Sequence, residues 1–425
     1  MSATILNIES KYRTNPAAWV SVNDFTTTVG TAVNASVVMQ PNVSLYCLDH
    51  PNRRFIFVET PEDVDLSQHP FFFQAQFEHA QRLIAVPYDV LHRMAAAAPL
   101  DDEKLILLYS VGRCGSTLLS EVFNQFDDVI SLSEPDVFTD LLKMRDENGR
   151  FDSELKQLIH SSLFVLMTPL TPKRQSHWAI KFRSYNVELA DLIYEVVPQA
   201  KALFMYRNAV DWARSTARAF QKLQSEKGSV GTAVERKWAA RSAALHGWIG
   251  EQSDGLVQKL LNRVDAQAGV LSQPSLTLRK RLFPALAAYE QQLISGDLSR
   301  MEYITLEWVS AMQKYVSLHR QGVPMLAFRY EELVAQPEPV LAHILAYAGL
   351  RTDDLAALLT VFEKDSQRGT SLARTAVRSG SDNELTEIHL NQLHALLKNH
   401  PDIATSDVIL PDTIGFETVN LRLGD

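Results

Sequence analysis

The chain has 425 residues, of which 46% are hydrophobic and 21% are charged. This composition can bury one large core or two smaller ones, so it excludes a disordered chain and a disulfide-stapled miniprotein. The formal net charge of −9 argues against a general affinity for nucleic acid or anionic membranes, so an anionic ligand needs a specific local site. The two cysteines, Cys47 and Cys114, lie far apart without metal-ligand spacing, which argues against a zinc site and a disulfide framework.

The N-terminus does not resemble a targeting signal, because no basic region precedes an apolar run there. The longest apolar stretches, such as LFVLM at 163–167, are too short to span a bilayer. We therefore expect a full-length cytoplasmic protein.

Residues 1–100 are rich in Val, Thr, Phe and Asn, and several prolines interrupt them. The stretches SLYCLD and RFIFVE flank the turn sequence HPNR, a pattern that predicts a β-hairpin. This part of the chain is predicted to form an N-terminal β-rich extension, followed by a second domain over 101–425.

The pattern changes after Lys104. The apolar run LILLYSV at 105–111 predicts a strand buried on both faces, which ends in a glycine turn before an amphipathic helix. Further buried strands are predicted at 177–182, 202–207 and 325–330, with helices between them. This alternation predicts an α/β fold, a P-loop-like parallel sheet covered by helices, with a helical insertion at about 220–322.

The glycine turn is the first candidate binding element. The run Gly112-Arg113-Cys114-Gly115-Ser116-Thr117 places backbone N–H groups at a helix N-terminus, where phosphate or sulfate is favoured. It lacks the Gly-Lys-Ser/Thr of an ATP-type loop, and its cation, Arg113, can grip an oxyanion without a metal ion. The alternative is a tight strand-to-helix turn with an exposed arginine.

Two separated stretches resemble one family. YSVGRCGSTLLSEVF resembles the 5′-phosphosulfate loop of sulfotransferases that use 3′-phosphoadenosine 5′-phosphosulfate (PAPS). ALFMYRNAVDWARS resembles their 3′-phosphate motif, in which a strand ends in an arginine, here Arg207, and the next helix carries a serine, here Ser215. A third stretch, 328–350, resembles the family's late strand, Tyr-Glu-Asp-Leu turn and helix, and we interpret its glutamates as structural.

The resemblance implies PAPS as donor, 3′-phosphoadenosine 5′-phosphate (PAP) as product, and no metal ion. It also implies that a basic, glycine-containing loop within 364–383 closes over the nucleotide, with a solvated surface loop as the alternative. The implied nucleotide-binding residues are Gly112, Arg113, Cys114, Gly115, Ser116, Thr117, Leu118, Arg207, Ser215, Arg368 and Gly369.

The predicted catalytic residues are Glu134, Arg113 and Lys181. Lys181 ends a strand where related enzymes carry a lysine, and the alternative is a solvated lysine. The cytosolic branch of the family has Lys-x-His at this strand end, but here Arg183 replaces the histidine and cannot act as a base. Glu134 lies at the offset from Arg113 at which protein-tyrosine sulfotransferases carry a glutamate base. Its alternative roles are pairing with an arginine or capping a helix near Pro135.

The predicted function is transfer of a sulfuryl group from PAPS to a hydroxyl or amine of a small or medium-sized acceptor. The acceptor is expected to be a small molecule or a peptide, with no nucleic-acid or membrane partner. The alternatives are a nucleotide-dependent P-loop kinase and a sulfotransferase-like binding module without turnover. Tryptophans in the helical region are predicted to pack helices together: Trp238, Trp248 and Trp308.

Overall fold

The structure is a computed structural model that describes residues 1–13, 18–168, 177–225, 275–353, 355–363 and 385–415. Four of the residues singled out above lie outside the described residues, namely Arg368, Gly369, Trp238 and Trp248. Most of the predicted helical insertion also lies outside them. Among the helices in these ranges, none is both long enough and apolar enough to cross a membrane.

The N-terminal region forms a five-stranded sheet in which every strand pair is antiparallel, in the order β2-β1-β5-β4-β3. Its strands are β1 (Ser2–Lys11), β2 (Phe25–Asn34), β3 (Val43–Asp49), β4 (Arg54–Glu59) and β5 (Arg82–Pro87), with helices α1 (Phe72–His79) and α2 (Tyr88–Ala96). The predicted hairpin is confirmed, because β3 pairs with β4 and Arg53 takes a left-handed conformation in the turn between them.

The second sheet has five parallel strands in the order β10-β9-β6-β8-β7. These strands are β6 (Leu105–Ser110), β7 (Val129–Ser133), β8 (His177–Lys181), β9 (Lys201–Tyr206) and β10 (Leu326–Arg329). Helices flank the sheet, which confirms the predicted α/β fold class. The helices up to the gap at 226–274 are α3 (Ser116–Phe123), α4 (Val137–Met144), α5 (Asp152–Leu166), α6 (Ala190–Val196) and α7 (Ala209–Ser225).

After that gap the chain is again helical. The helices are α8 (Leu276–Leu282), α9 (Glu290–Ser295), α10 (Arg300–Arg320), α11 (Tyr330–Ala335), α12 (Pro337–Tyr347), α13 (Leu355–Leu359) and α14 (Glu387–Lys398). The described end of the predicted helical insertion thus contains α8, α9 and α10. Trp308 on α10 is fully buried, as the helix-packing prediction requires.

Four parallel strands were predicted from their apolar runs, and all four are present with bounds that differ by one residue at one or both ends. The fifth, β7, was missed because Ser131 and Ser133 interrupt its apolar pattern. Both serines are buried. The Ser131 hydroxyl lies 2.6 Å from the Ser120 hydroxyl, and its amide donates to Asn124 at 3.1 Å, so hydrogen bonds offset the cost of burying this polar residue.

The N-terminal sheet packs against the α/β sheet's helices rather than standing apart. One of its faces lies on α4 and α5, and a single hydrophobic cluster contains core residues of both sheets. Phe71 and Phe73 belong to a second cluster, which covers the opposite face. This packing brings the segments around 18–24 and 71–73 to the carboxyl ends of the parallel strands.

Candidate active site

The carboxyl ends of the five parallel strands form one edge of the second sheet, with β6 at its centre. The end of β9 lies on one side of β6, and the ends of β8 and β7 lie on the other. The N–H of Val111 donates to the Met205 carbonyl at 3.1 Å, which continues the ladder between β6 and β9 into the turn. Open α/β sheets bind ligands at this edge. The glycine turn, Lys181, Glu134 and Arg207 all follow or end these strands and therefore share it.

The turn between β6 and α3 has a left-handed backbone at three residues, with φ of 73° at Gly112, 49° at Arg113 and 89° at Gly115. The indole N–H of Trp212 donates to the carbonyls of Val111 and Gly112, at 3.0 and 2.9 Å, and ties the turn to α7. Gly115 is the N-cap of α3 and has no side chain to accept from the first helical amides. An anion bound at this point is favoured by those amides and by the helix dipole.

The side chains of the turn differ in what they offer a ligand. Cys114 is buried, its thiol lies 3.5 Å from the Met205 carbonyl, and burial raises the pKa of the thiol, so this side chain faces β9. Ser116 accepts a hydrogen bond from the Ser110 hydroxyl at 3.3 Å. Thr117 and Leu118 are buried in the first turn of α3. Cys114 therefore offers a ligand its backbone amide rather than its thiol.

Gly115 also lies close to an aromatic ring. A Cβ at this position would be 3.0 Å from the ring of Tyr330, which is closer than van der Waals contact. Replacing Gly115 with alanine is expected to lower the free energy of unfolding by about 1–3 kcal/mol from this overlap, beyond about 1 kcal/mol for the left-handed backbone. Urea denaturation of this variant measures the sum of the two losses.

The matched control is Gly322→Ala. Gly322 also has a positive φ of 77°, but nothing lies within 4 Å of a Cβ there. The control should show only the backbone cost of about 1 kcal/mol. Equal losses in the two variants would contradict the close approach of Tyr330 to the turn.

Lys181 and Glu134 form an ion pair at the ends of β8 and β7. The ammonium donates to Glu134 Oε1 at 2.6 Å, and the Glu134 amide donates to the Lys181 carbonyl at 2.7 Å. The side chains are only 4% and 16% exposed, respectively. The alternative of a solvated lysine is therefore wrong. Glu134 has a left-handed backbone, with φ of 62°, and the helix after it begins at Val137 with Asp136 as its N-cap.

Arg183 and Asp136 form a second, more deeply buried pair beside the first. Arg183 Nε lies 2.8 Å from Asp136 Oδ1 and 3.8 Å from Glu134 Oε2. Burial raises the pKa of the Asp136 carboxyl, and the Arg183 guanidinium offsets this only in part. Burial opposes the charge of Arg183, but the Asp136 carboxylate keeps the pKa of the guanidinium above its ordinary value. Asp136 was not among the residues predicted from the sequence, although a buried arginine at a strand end requires an acidic partner.

The N-terminal region contacts both ion pairs. The Val20 amide donates to Asp136 Oδ2 at 2.7 Å. The Phe71 ring centroid lies 5.7 Å from the Lys181 ammonium, and the Phe73 ring centroid lies 4.3 Å from the Arg183 guanidinium. The extension thus forms part of the wall around Glu134, and its position here was not visible from the local sequence pattern.

Arg207 lies on the other side of the glycine turn, at the end of β9. Its side chain is 20% exposed, and its Nε lies 3.9 Å from Glu331 Oε1. This Nε is buried and has no hydrogen-bond partner within the described parts of the chain. The Trp308 indole N–H donates to the Arg207 carbonyl at 3.0 Å. Ser215 lies half-buried on α7.

The ring of Tyr330 connects Arg207 to the glycine turn. Its centroid lies 4.5 Å from the Arg207 guanidinium carbon, and its edge is the group that a Cβ on Gly115 would meet. The guanidinium lies over this ring and the turn lies at its edge, so Arg207 and the glycine turn border the same side chain.

No protein-family model matches the chain, and no curated protein is similar to it by sequence. Similar folds occur among solved structures. A protein from Alicyclobacillus acidocaldarius is 14% identical, with a TM-score of 0.32, over 62% of this chain and 92% of its own. One from Mycobacterium avium is 13% identical, with a TM-score of 0.36, over 74% of this chain and 80% of its own. A mouse protein complexed with PAP is 16% identical, with a TM-score of 0.33, over 74% and 90%.

All three are sulfotransferases. Within the described ranges, no group of three or more His, Cys, Asp or Glu side chains is arranged to hold a metal ion.

Proposed function

We propose that this protein is a sulfotransferase that moves a sulfuryl group from PAPS to a hydroxyl or amine of a small or medium-sized acceptor. The observation that carries the proposal is the arrangement around β6. Arg207 and the glycine turn border the same Tyr330 ring, and the Lys181–Glu134 pair lies on the opposite side of the central strand. PAPS carries anionic groups at both the 3′ and the 5′ positions of its ribose, which matches two separated anion-binding elements.

The Arg207 end supports recognition of the 3′-phosphate. The Arg207 side chain is 20% exposed, and its Nε lies 3.9 Å from the Glu331 carboxylate, so the guanidinium keeps donors for an anionic ligand. A phosphate oxygen is a suitable acceptor for a guanidinium. Ser215, on the helix that follows, is proposed to share this phosphate. The amides of Gly115, Ser116 and Thr117 would hold the 5′-phosphosulfate at the N-terminus of α3.

The chemical step requires three things of the protein. Donor and acceptor must be in line, negative charge on the phosphosulfate must be stabilised, and the acceptor proton must be removed. The acceptor oxygen or nitrogen forms a bond to sulfur as the bond between sulfur and the bridging phosphate oxygen breaks, and PAP leaves. Arg113 and Lys181 are proposed to stabilise the charge, and Glu134 to accept the proton. Since a carboxylate is a weak base for an alcohol, proton transfer is expected late, once sulfur bonding has begun.

Selectivity for PAPS over ATP follows from the same residues. ATP has no 3′-phosphate, so its binding would leave the partly buried Arg207 without a phosphate partner, at a cost of about 1–3 kcal/mol. The turn also lacks the lysine that ATP-type loops place on the terminal phosphates. Both points favour a sulfotransferase over a P-loop kinase.

Isothermal titration of the protein with PAP, and separately with ATP and Mg²⁺, tests the proposal. We expect PAP to bind with micromolar affinity and at least about tenfold more tightly than ATP, in line with the cost of leaving a guanidinium unmatched. A preference for ATP with Mg²⁺ would instead favour the kinase. Binding of PAP without transfer to any acceptor would favour a non-catalytic binding module.

A further inference from the structure

Glu331, in the first turn of α11, lies against Arg207 and is held from two other directions. Its Oε1 accepts a hydrogen bond from the Asn208 amide at 3.0 Å, and its Oε2 lies 3.6 Å from Arg329 Nε. Its Oε1 is also the atom nearest to Arg207, at 3.9 Å from Nε. The carboxylate therefore has a defined position before any nucleotide binds.

These contacts belong to a closed network. The Arg329 guanidinium donates to Asp407 Oδ1, and the Asn208 side-chain amide donates to the same oxygen at 3.1 Å. The Arg329 side chain is 8% exposed, whereas that of Asp407 is 63% exposed and screened by solvent. The partly buried part of the network contains two guanidinium groups, of Arg207 and Arg329, and one carboxylate, of Glu331. It therefore carries one excess positive charge.

We infer that Glu331 is a positioning residue, which holds the Nε edge of the Arg207 guanidinium so that its remaining donors face the 3′-phosphate. This inference rests on the proposed function. Arg207 Nε and Glu331 Oε2 are both buried atoms without a hydrogen-bond partner in the described residues. Both atoms therefore remain available for a closer hydrogen-bonded contact between the two side chains. A guanidinium fixed in advance loses less rotamer freedom when it binds phosphate.

A positioning role for Glu331 predicts the sign of a mutational effect on the affinity for PAP. A carboxylate that acted only as a negative charge near the phosphate would weaken binding, and its removal would raise the affinity for PAP. A positioning carboxylate does the opposite. We expect Glu331→Gln to lower the affinity for PAP by about tenfold, the size of one charge-assisted hydrogen bond.

Isothermal titration with PAP and with adenosine 5′-phosphate, which lacks the 3′-phosphate, is the test. In Glu331→Gln, PAP affinity should fall about tenfold while adenosine 5′-phosphate affinity stays at the wild-type level. A purely structural role would lower both affinities together. The matched control is Glu332→Gln, the next residue of the same helix, which should bind both nucleotides as the wild type does.

Because Glu331 also accepts from the Asn208 amide, thermal melting must accompany the titrations. Glu331→Asp is the second variant: it keeps the charge, shortens the side chain and should show a smaller loss confined to PAP. If a folded Glu331 variant binds PAP as tightly as the wild type, or more tightly, the positioning role is overturned. If the wild type itself binds both nucleotides equally, the proposed function fails and this inference fails with it; if the wild type prefers PAP, only the positioning role is at stake.

Discussion

Replacing Glu134 with glutamine is expected to slow sulfuryl transfer by about 10²–10⁴-fold, the usual contribution of a positioned general base. Glutamine keeps the shape of the side chain but cannot accept the acceptor proton. Affinity for PAP should change little, because Glu134 and Arg207 lie on opposite sides of β6. The rate is measured with radiolabelled PAPS and a panel of simple alcohols, phenols and amines, and the affinity by titration with PAP.

The ion pair with Lys181 must be considered in this experiment. Glu134→Gln leaves a buried ammonium without its 2.6 Å partner, so the variant's unfolding free energy has to be measured and rates compared only where both proteins are folded. Glu134→Asp retains a carboxylate and should recover part of the rate. Glu332→Gln serves again as the unaffected control. A folded Glu134→Gln variant that keeps wild-type turnover would exclude Glu134 as the base.

Replacing Asp136 with asparagine is expected to lower the free energy of unfolding by about 3–5 kcal/mol, the cost of removing one partner of a buried ion pair. The side chain of Asp136 is fully buried, forms an ion pair with Arg183 Nε at 2.8 Å, and accepts hydrogen bonds from the Val20 amide and from the Thr139 hydroxyl at 2.5 Å. Asparagine removes the charge that compensates Arg183. The nearest remaining carboxylate is then that of Glu134, whose Oε2 lies 3.8 Å from Arg183 Nε. Urea denaturation measures the loss.

Asp89→Asn is the matched control, since it breaks an ion pair of similar length at the surface. Asp89 pairs with Arg93 at 2.8 Å, and both side chains are more than half exposed, so the loss should stay below about 1 kcal/mol. The double variant Asp136→Leu with Arg183→Met removes both charges and should recover part of the stability lost in Asp136→Asn. Equal losses in Asp136→Asn and Asp89→Asn would contradict the energetic importance of burial at this pair.

Lys181 shows what the sequence pattern can predict about a strand and what it cannot predict about a side chain. The apolar run before it predicted a buried strand, and the structure contains that strand as β8. The same pattern left the side chain equally compatible with solvent and with a catalytic role. Its burial against Ser133 and Glu134 depends on β7, a strand that alternating serines concealed, and on the register that sets Ser133 opposite Lys181.

Arg183 and Arg207 show what cannot be predicted from local patterns. Asp136, the closest acidic partner of Arg183, lies on a different strand–helix connection, and the Val20 amide that shares this carboxylate comes from the N-terminal region. Glu331, the acidic neighbour of Arg207, follows the last parallel strand. These pairs are set by strand order and by how two sheets pack, so no short sequence window contains both partners. The roles of Ser215, Arg368 and Gly369 stay predictions.

From its sequence alone four of this protein's five described parallel strands, the glycine turn and the N-terminal hairpin could be located, because hydrophobic periodicity and turn residues act over a few neighbouring positions. The order of the strands, the burial of Lys181 and the contact of Phe71 and Phe73 with the cationic side chains were decided only by the tertiary structure. The physical reason is that charge compensation and packing depend on groups far apart in the chain, which come together only when two sheets share one hydrophobic core.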